Sequence, residues 1–378
     1  MSQLKIVDEG IIFINSNPAY RHVSAFHPSI VQISDTEFIC LTHTAQGLYA
    51  TDSNVILQRS TDGGKTWEEE GFVYDGSKDD KPWSYHGTFV SKMRDGTIAF
   101  CPFRADRTDP EQPFFNDSGG LIDIDPCLLL SRDAGRTWSD PIVMDLPESK
   151  QMTASQSIVE LADGRWWAPF DLWGTFADEQ PYKPCMVGFT SDDQGKSWSD
   201  RVVIADGAAE GKGYWHGRPI CLSDGSLYSL FWAADMTQPE KGPVNLNNHF
   251  ATADANGQNW TTPQPTQIPG QTHGVTELPD GRLAAVYTWR ETTQPGFMVV
   301  LSSDRGRTWD LENQVRVWDA TGWTEIGLSH PDKYPRSHDT IAFGAPSIIT
   351  LMNGELLAYW WCTLASQVHT RWARLKLG

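Results

Sequence analysis

The sequence predicts an all-β protein, a six-bladed β-propeller with four antiparallel strands per blade. Three observations predict it: a short phrase ending in Trp recurs along the chain, a strand–turn–strand unit recurs out of phase with it, and both keep a near-constant spacing. The phrase reads STDGGKTW over residues 60–67, SRDAGRTW over 131–138, SDDQGKSW over 191–198 and SSDRGRTW over 302–309. A looser copy, TADANGQNW over 252–260, carries one more residue before its glycine. Each reads as a hairpin turn. Ser and Asp side chains bond turn backbone, Gly supplies a positive φ, and Trp anchors the returning strand.

The strand–turn–strand units follow in chain order. They run over residues 29–43, 88–103, 157–170, 219–232, 275–289 and 347–361, with turns centred near Asp35, Asp95, Asp163, Asp224, Asp280 and Asn353. Asp-Gly or Asn-Gly between alternating strands is the strongest short-range hairpin signal, and five of the six turns carry it. Two hairpins per period of about 60 residues make a four-stranded sheet, and six such sheets close radially without exposing long edges. The last unit has no Trp phrase after it, and the chain ends in VHTRWARLKLG, so the N-terminal segment is expected to complete that blade. No linker or change of composition divides the chain, which predicts one domain over residues 1–378.

Composition narrows the function. The 378 residues carry 30 Lys+Arg against 48 Asp+Glu, a formal charge of −18 that repels phosphate backbones, so no nucleic-acid partner is expected. No apolar run reaches membrane-spanning length, and no membrane partner is expected. The N-terminus lacks the pattern of a signal peptide, which gives the expectation of a cytoplasmic protein. Cys40, Cys101, Cys127, Cys185, Cys221 and Cys362 sit in apolar runs without metal-ligand spacing and read as reduced, buried thiols.

The repeated phrases resemble the Asp-box, or BNR repeat, of the sialidase (neuraminidase) superfamily, across roughly residues 20–375. That resemblance implies a sugar-processing propeller whose boxes lie on the face opposite the active site, so Asp62, Asp133, Asp193, Asp254 and Asp304 are expected to be structural. It also implies catalytic positions, and there this chain departs from the pattern. Phe26-His27-Pro28-Ser29 stands where sialidases open the first blade with Arg-Ile-Pro. Tyr214-Trp215-His216-Gly217-Arg218 stands in place of the fourth-blade Glu, and Gly344-Ala345-Pro346-Ser347 in place of the nucleophilic Tyr. Phe231-Trp232 replaces a carboxylate-binding Arg. Asp52 is the one counterpart of the acid/base Asp.

Strand polarity places a substitute site where inner strands begin and second strands end. Four inner-strand starts carry histidine: His27, His86, His216 and His273, with Gln156 at the third blade and His338 upstream of the sixth. Repeat duplication of a structural His and a shared functional pocket both account for this. Second-strand ends add Arg104, Asp171, Arg290 and Glu291, and Arg218 follows His216. Arg suits a sugar carboxylate. Asp171 lies between aromatics, where burial favours an acid role. Tyr85 and Tyr214 offer proton donors, and Trp83, Trp173, Trp215 and Trp232 offer faces for sugar stacking.

Three readings follow. The first is an exo-acting glycoside hydrolase on an oligosaccharide or glycoside, with catalytic candidates His216, His273, Asp171, Tyr214 and Asp52, and a carboxyl pair drawn from Asp171 with Asp52 or Glu291. Its substrate-binding candidates are His27, His86, Arg104, Arg218, Arg290, Glu291, Trp215 and Trp232. The second is a uronate lyase using His, Tyr and Arg, which the resemblance to propeller lyases suggests; a divalent metal, Zn or Mn, on His27, His86, His216 and His273 is an option there. The third is a glycan-binding propeller without catalysis.

Overall fold

A computed structural model describes residues 4–154, 156–179, 184–238, 242–321, 342–364 and 367–378. Its strands form six antiparallel sheets. The first blade has four strands in chain order, Ser24–Gln32, Phe38–Ala45, Asn54–Ser60 and Glu68–Phe72, and the fifth repeats that order from His273–Glu277 to Val315–Asp319. In the second, the inner strand is broken between His86 and Val90 and its partner between Phe100 and Phe103. The Gly87 turn and Pro102, which lacks an N–H, fall in those breaks.

Each core lies between neighbouring blades. Ile39, Leu41, Val55 and Leu57 of the first blade pack with Val90, Ile98, Phe100, Cys127 and Leu129 of the second. Neighbouring blades touch in ring order, and the fifth and sixth blades, like the sixth and first, are in contact, so the ring is closed. The first and fourth blades therefore face each other across the axis. Closure is made by the chain ends: Leu4–Phe13 pairs antiparallel with Gln367–Leu377, the outer neighbour of Leu356–Leu364. The expected completion of the sixth blade by the N-terminal segment is what is observed.

The Asp-boxes behave as local turns. Asp62 Oδ1 accepts from the backbone N–H of Lys65 and Thr66 at 3.0 Å, and Oδ2 accepts from the Thr66 hydroxyl at 2.6 Å. Ser60 Oγ donates to Asp62 and accepts from Gly64 N, while Trp67 Nε1 donates to the Gly64 carbonyl at 3.0 Å. Asp133 repeats the whole pattern, Asp193 repeats it except that Trp198 Nε1 makes no hydrogen bond among the described residues, and Asp304 keeps its hydroxyl and backbone bonds to Thr308. In the looser copy the Asn259 amide replaces the hydroxyl on Asp254 at 2.6 Å.

Boxes and hairpin turns share one face. Arg136 of the second box reaches Glu37 beside the first turn at 3.1 Å, and Gln194 of the third box reaches Asp95 of the second turn at 3.3 Å. The inner-strand starts and second-strand ends thus open on the other face. All six cysteines are free; Cys185 and Cys221 are half-buried and the other four buried.

Candidate functional site

A bulge shapes the opening of three inner strands. In the first, fourth and sixth blades two residues oppose one: His27-Pro28, His216-Gly217 and Ala345-Pro346 each fall in a register shift. The leading residue of each is left-handed, with φ of 47° at His27, 50° at His216 and 44° at Ala345. A non-glycine residue held there costs on the order of 1–3 kcal/mol, and bulges re-aim side chains. Gly217 follows His216 because a Cβ there would meet Met186 Sδ and Phe231 at 2.7 Å.

His27 and His216 are therefore structurally equivalent, whereas the other two inner-strand histidines are not. At the second blade Gly87 takes the positive φ and His86 precedes it; at the fifth, His273 and Gly274 pair with no bulge. The apparent fourfold equivalence of these histidines is thus corrected by register. Gly274 is required for another reason: a Cβ would come within 2.7 Å of Ser347 Cα.

The axial cleft, a cavity of about 120 Å³, opens on the face away from the boxes. His216 and Arg218 line one side, with Gln156, Thr272 and Ser347. His27, His43 and His86 line the other, beside an aromatic wall that includes Tyr49, Phe103 and Phe114. Among the described residues no Asp or Glu lines it.

Asp171 stands directly behind His216. It sits on the second strand of the third blade, opposite Thr153 and Met186, and is 1% exposed. Its Oδ1 accepts from the His216 backbone N–H at 2.8 Å and its Oδ2 meets His216 Nδ1 at 3.1 Å. One carboxylate thus holds both the strained backbone and the ring. Committing Nδ1 to donation leaves Nε2 as the basic nitrogen.

Arg218, 4% exposed, donates from one terminal nitrogen to the Pro346 carbonyl of the sixth blade at 2.7 Å. Its Nε has no hydrogen-bond partner, and no carboxylate forms an ion pair with it among the described residues. Burial lowers its pKa to about 10, so it stays cationic at neutral pH. A buried guanidinium at a cleft, in no direct ion pair among the described residues and with only the Asp171 charge acting on it at longer range, suits an anionic group.

The opposite histidines are packed against one another: ring centres lie 6.0 Å apart for His27 and His43 and 5.1 Å for His43 and His86. Burial lowers His43 to about 3 and, with the charges of His43, Arg107 and His27, puts His86 well below its usual value. Ser84 Oγ meets His86 Nε2 at 2.8 Å and accepts from Arg107 Nε at 2.8 Å.

Other expected site residues lie away from the cleft. His273 is fully buried with Nδ1 on the Gln271 carbonyl, and burial lowers it to about 3. Tyr214 packs against Phe231 and His249, and burial raises it to about 12. Asp52 accepts from Gln46 N and closes its own loop. Arg104 pairs with Asp125 at 3.1 Å and lies over Trp83 at 4.0 Å. Tyr85 bonds Asp79. Arg290 and Glu291 line a separate hollow with Asn245 and Gln271. Trp215 and Trp232 pack on each other at 5.5 Å behind the wall, and Trp232 bonds Asn245. Trp173 does line the cleft. His338 lies outside the described residues.

The proposed metal set is not assembled. His273 does not line the cleft, and its Nδ1 faces the Gln271 carbonyl. Among the described residues no group of three or more His, Cys, Asp or Glu is arranged to hold an ion. No step is routed through a metal. Among the cleft residues that escaped the sequence reading are His43 and Tyr49. His43 lies near the end of the second strand of the first blade opposite Phe26, a position the second-strand rule covers, and Tyr49 lies on the loop after it.

Residues 58–69 match the family model described as the BNR/Asp-box repeat. No curated protein sequence matches the chain. Among solved structures, a protein of unknown function from Dyadobacter fermentans is similar at a TM-score of 0.76 and 16% identity, covering 100% of both chains. The intramolecular trans-sialidase of Ruminococcus gnavus is similar at 0.63 and 13%, covering 93% of this chain and 94% of that one. The Penicillium chrysogenum α-L-arabinanase, solved with arabinobiose, is similar at 0.64 and 12%, covering 98% of each. The chain thus carries an Asp-box repeat on a six-bladed propeller structurally like the sialidases.

Proposed function

We propose that the protein is a carbohydrate-active enzyme that cleaves a uronate-bearing oligosaccharide in the axial cleft by β-elimination, with His216 as base. One observation carries this reading: the cleft joins a histidine backed by a buried carboxylate to a buried arginine that, among the described residues, forms no direct ion pair. Arg218 would take the uronate carboxylate and withdraw charge from it, which acidifies the adjacent C5 proton. His216 Nε2 would remove that proton, and Asp171 would stabilise the imidazolium that forms.

Hydrolysis by a carboxyl pair is the second reading, favoured by the glycoside-processing relatives of the fold. Such a pair has to flank the scissile bond. Asp171 is occupied by His216, Asp52 by Gln46, and Glu291 lines another hollow. The test is product analysis on a panel of uronate-terminated oligosaccharides. Elimination gives an ultraviolet-absorbing unsaturated uronate, and His216→Ala abolishes it. Reducing sugar without that absorbance establishes hydrolysis; binding without any product establishes a lectin.

A further inference from the structure

The three bulges contain their own comparison. His27-Pro28-Ser29 in the first blade and Ala345-Pro346-Ser347 in the sixth share the register shift, the left-handed leading residue and the two residues that follow. The bulge therefore needs no imidazole: alanine occupies it in the same molecule. Histidine occupies it only in the first and fourth blades, which face each other across the axis, and both histidines line the cleft. Strain of this kind, kept where a side chain is aimed into a pocket, is a pointer to chemistry.

We propose that His27 is the proton donor to the leaving oxygen, acting from the side of the cleft opposite His216. This rests on the β-elimination reading and completes it. His216 Nε2 takes the C5 proton, and the C5–H electron pair becomes the C4=C5 double bond. The C4–O bond breaks with its pair on oxygen, and the His27 imidazolium delivers a proton to that oxygen. The products are an unsaturated uronate and a sugar hydroxyl. His216 ends protonated and His27 neutral, and exchange with water restores both. His43 stacks against His27, and burial keeps His43 neutral, so it adds no competing positive charge there.

The test compares wild type, His27→Ala and His216→Ala on two uronate substrates, one with a sugar leaving group and one with an aryl-oxide leaving group at C4. Ala345 shows that the bulge accepts alanine, so His27→Ala is expected to fold with an unchanged melting temperature. His27→Ala should lose roughly 10²-fold or more in kcat on the sugar substrate and recover to within a few-fold of wild type on the aryl one, because a good leaving group needs no acid. His216→Ala should be impaired on both. If His27→Ala is unimpaired on both substrates, or equally impaired on both, the donor assignment is overturned while the His216 reading stands. If His216→Ala retains wild-type rates, the elimination reading itself falls.

Discussion

At the scale of single residues, the proposed chemistry turns on the contact between Asp171 and His216. Asp171→Asn keeps the volume but places an amide where the carboxylate accepts from two N–H groups, so the ring loses its orientation and its counter-charge. The expected outcome is a fall in kcat of roughly 10²-fold or more with KM little changed and a displaced pH–rate profile, read by steady-state kinetics. His43 gives a separate prediction. Its folded pKa of about 3 lies below the unfolded value near 6.5, so the unfolded chain binds the extra proton. Its contribution is present above pH 6.5 and is lost as pH falls towards 3, at up to about 1.4 kcal/mol per pH unit. His43→Phe should flatten that part of the stability–pH curve, measured by urea unfolding; an unaltered slope would show that His43 is not held neutral. Asp171 was legible in the sequence as a carboxyl among aromatics at a second-strand end. Its pairing with His216 was not, because the contact joins the third blade to the fourth, 45 residues apart.

Among the elements, boxes and bulges differ in how their structure is encoded. A box is a local code, five or so hydrogen bonds within eight residues, and its copies were readable from spacing alone. The residue before the box glycine is left-handed in each clean copy: Gly63, Ala134, Gln194 and Arg305 have φ between 60° and 82°. Ala134→Gly should therefore raise stability by about 0.5–1 kcal/mol, because only the side chain makes this φ costly. Asp304→Ala should lower it by about 1–3 kcal/mol through lost turn bonds, with turnover unchanged. Hydrogen bonds from Thr137 and Ser197 hold the Asp133 and Asp193 carboxyls down near 2. The stabilisation these carboxylates give is present above the unfolded pKa near 4 and fades as pH falls towards 2. The bulges could not be read in this way. Whether two residues oppose one depends on a partner strand a hairpin away, so His-Gly dipeptides that look alike in sequence adopt different registers at residues 86, 216 and 273.

The whole molecule works as a ring that holds opposed histidines at a fixed separation, and the ring is fastened by its ends. Leu4 and Ile12, on the strand that pairs with Gln367–Leu377, are buried in the cores of the closing blades. Removing residues 1–13 should cost about 3–6 kcal/mol from those two side chains alone, seen as a lower urea midpoint. Six blades and their closure were legible because repetition at about 60 residues leaves few alternatives. The cleft was only half legible, because its floor and wall are assembled from loops of several blades whose approach no single repeat records. Substrate carrying deuterium at C5 tests proton abstraction most directly. If His216 removes that proton, the label passes to solvent water as product forms, and His216→Ala releases none. Product that retains its C5 deuterium would contradict β-elimination and return the cleft to hydrolysis.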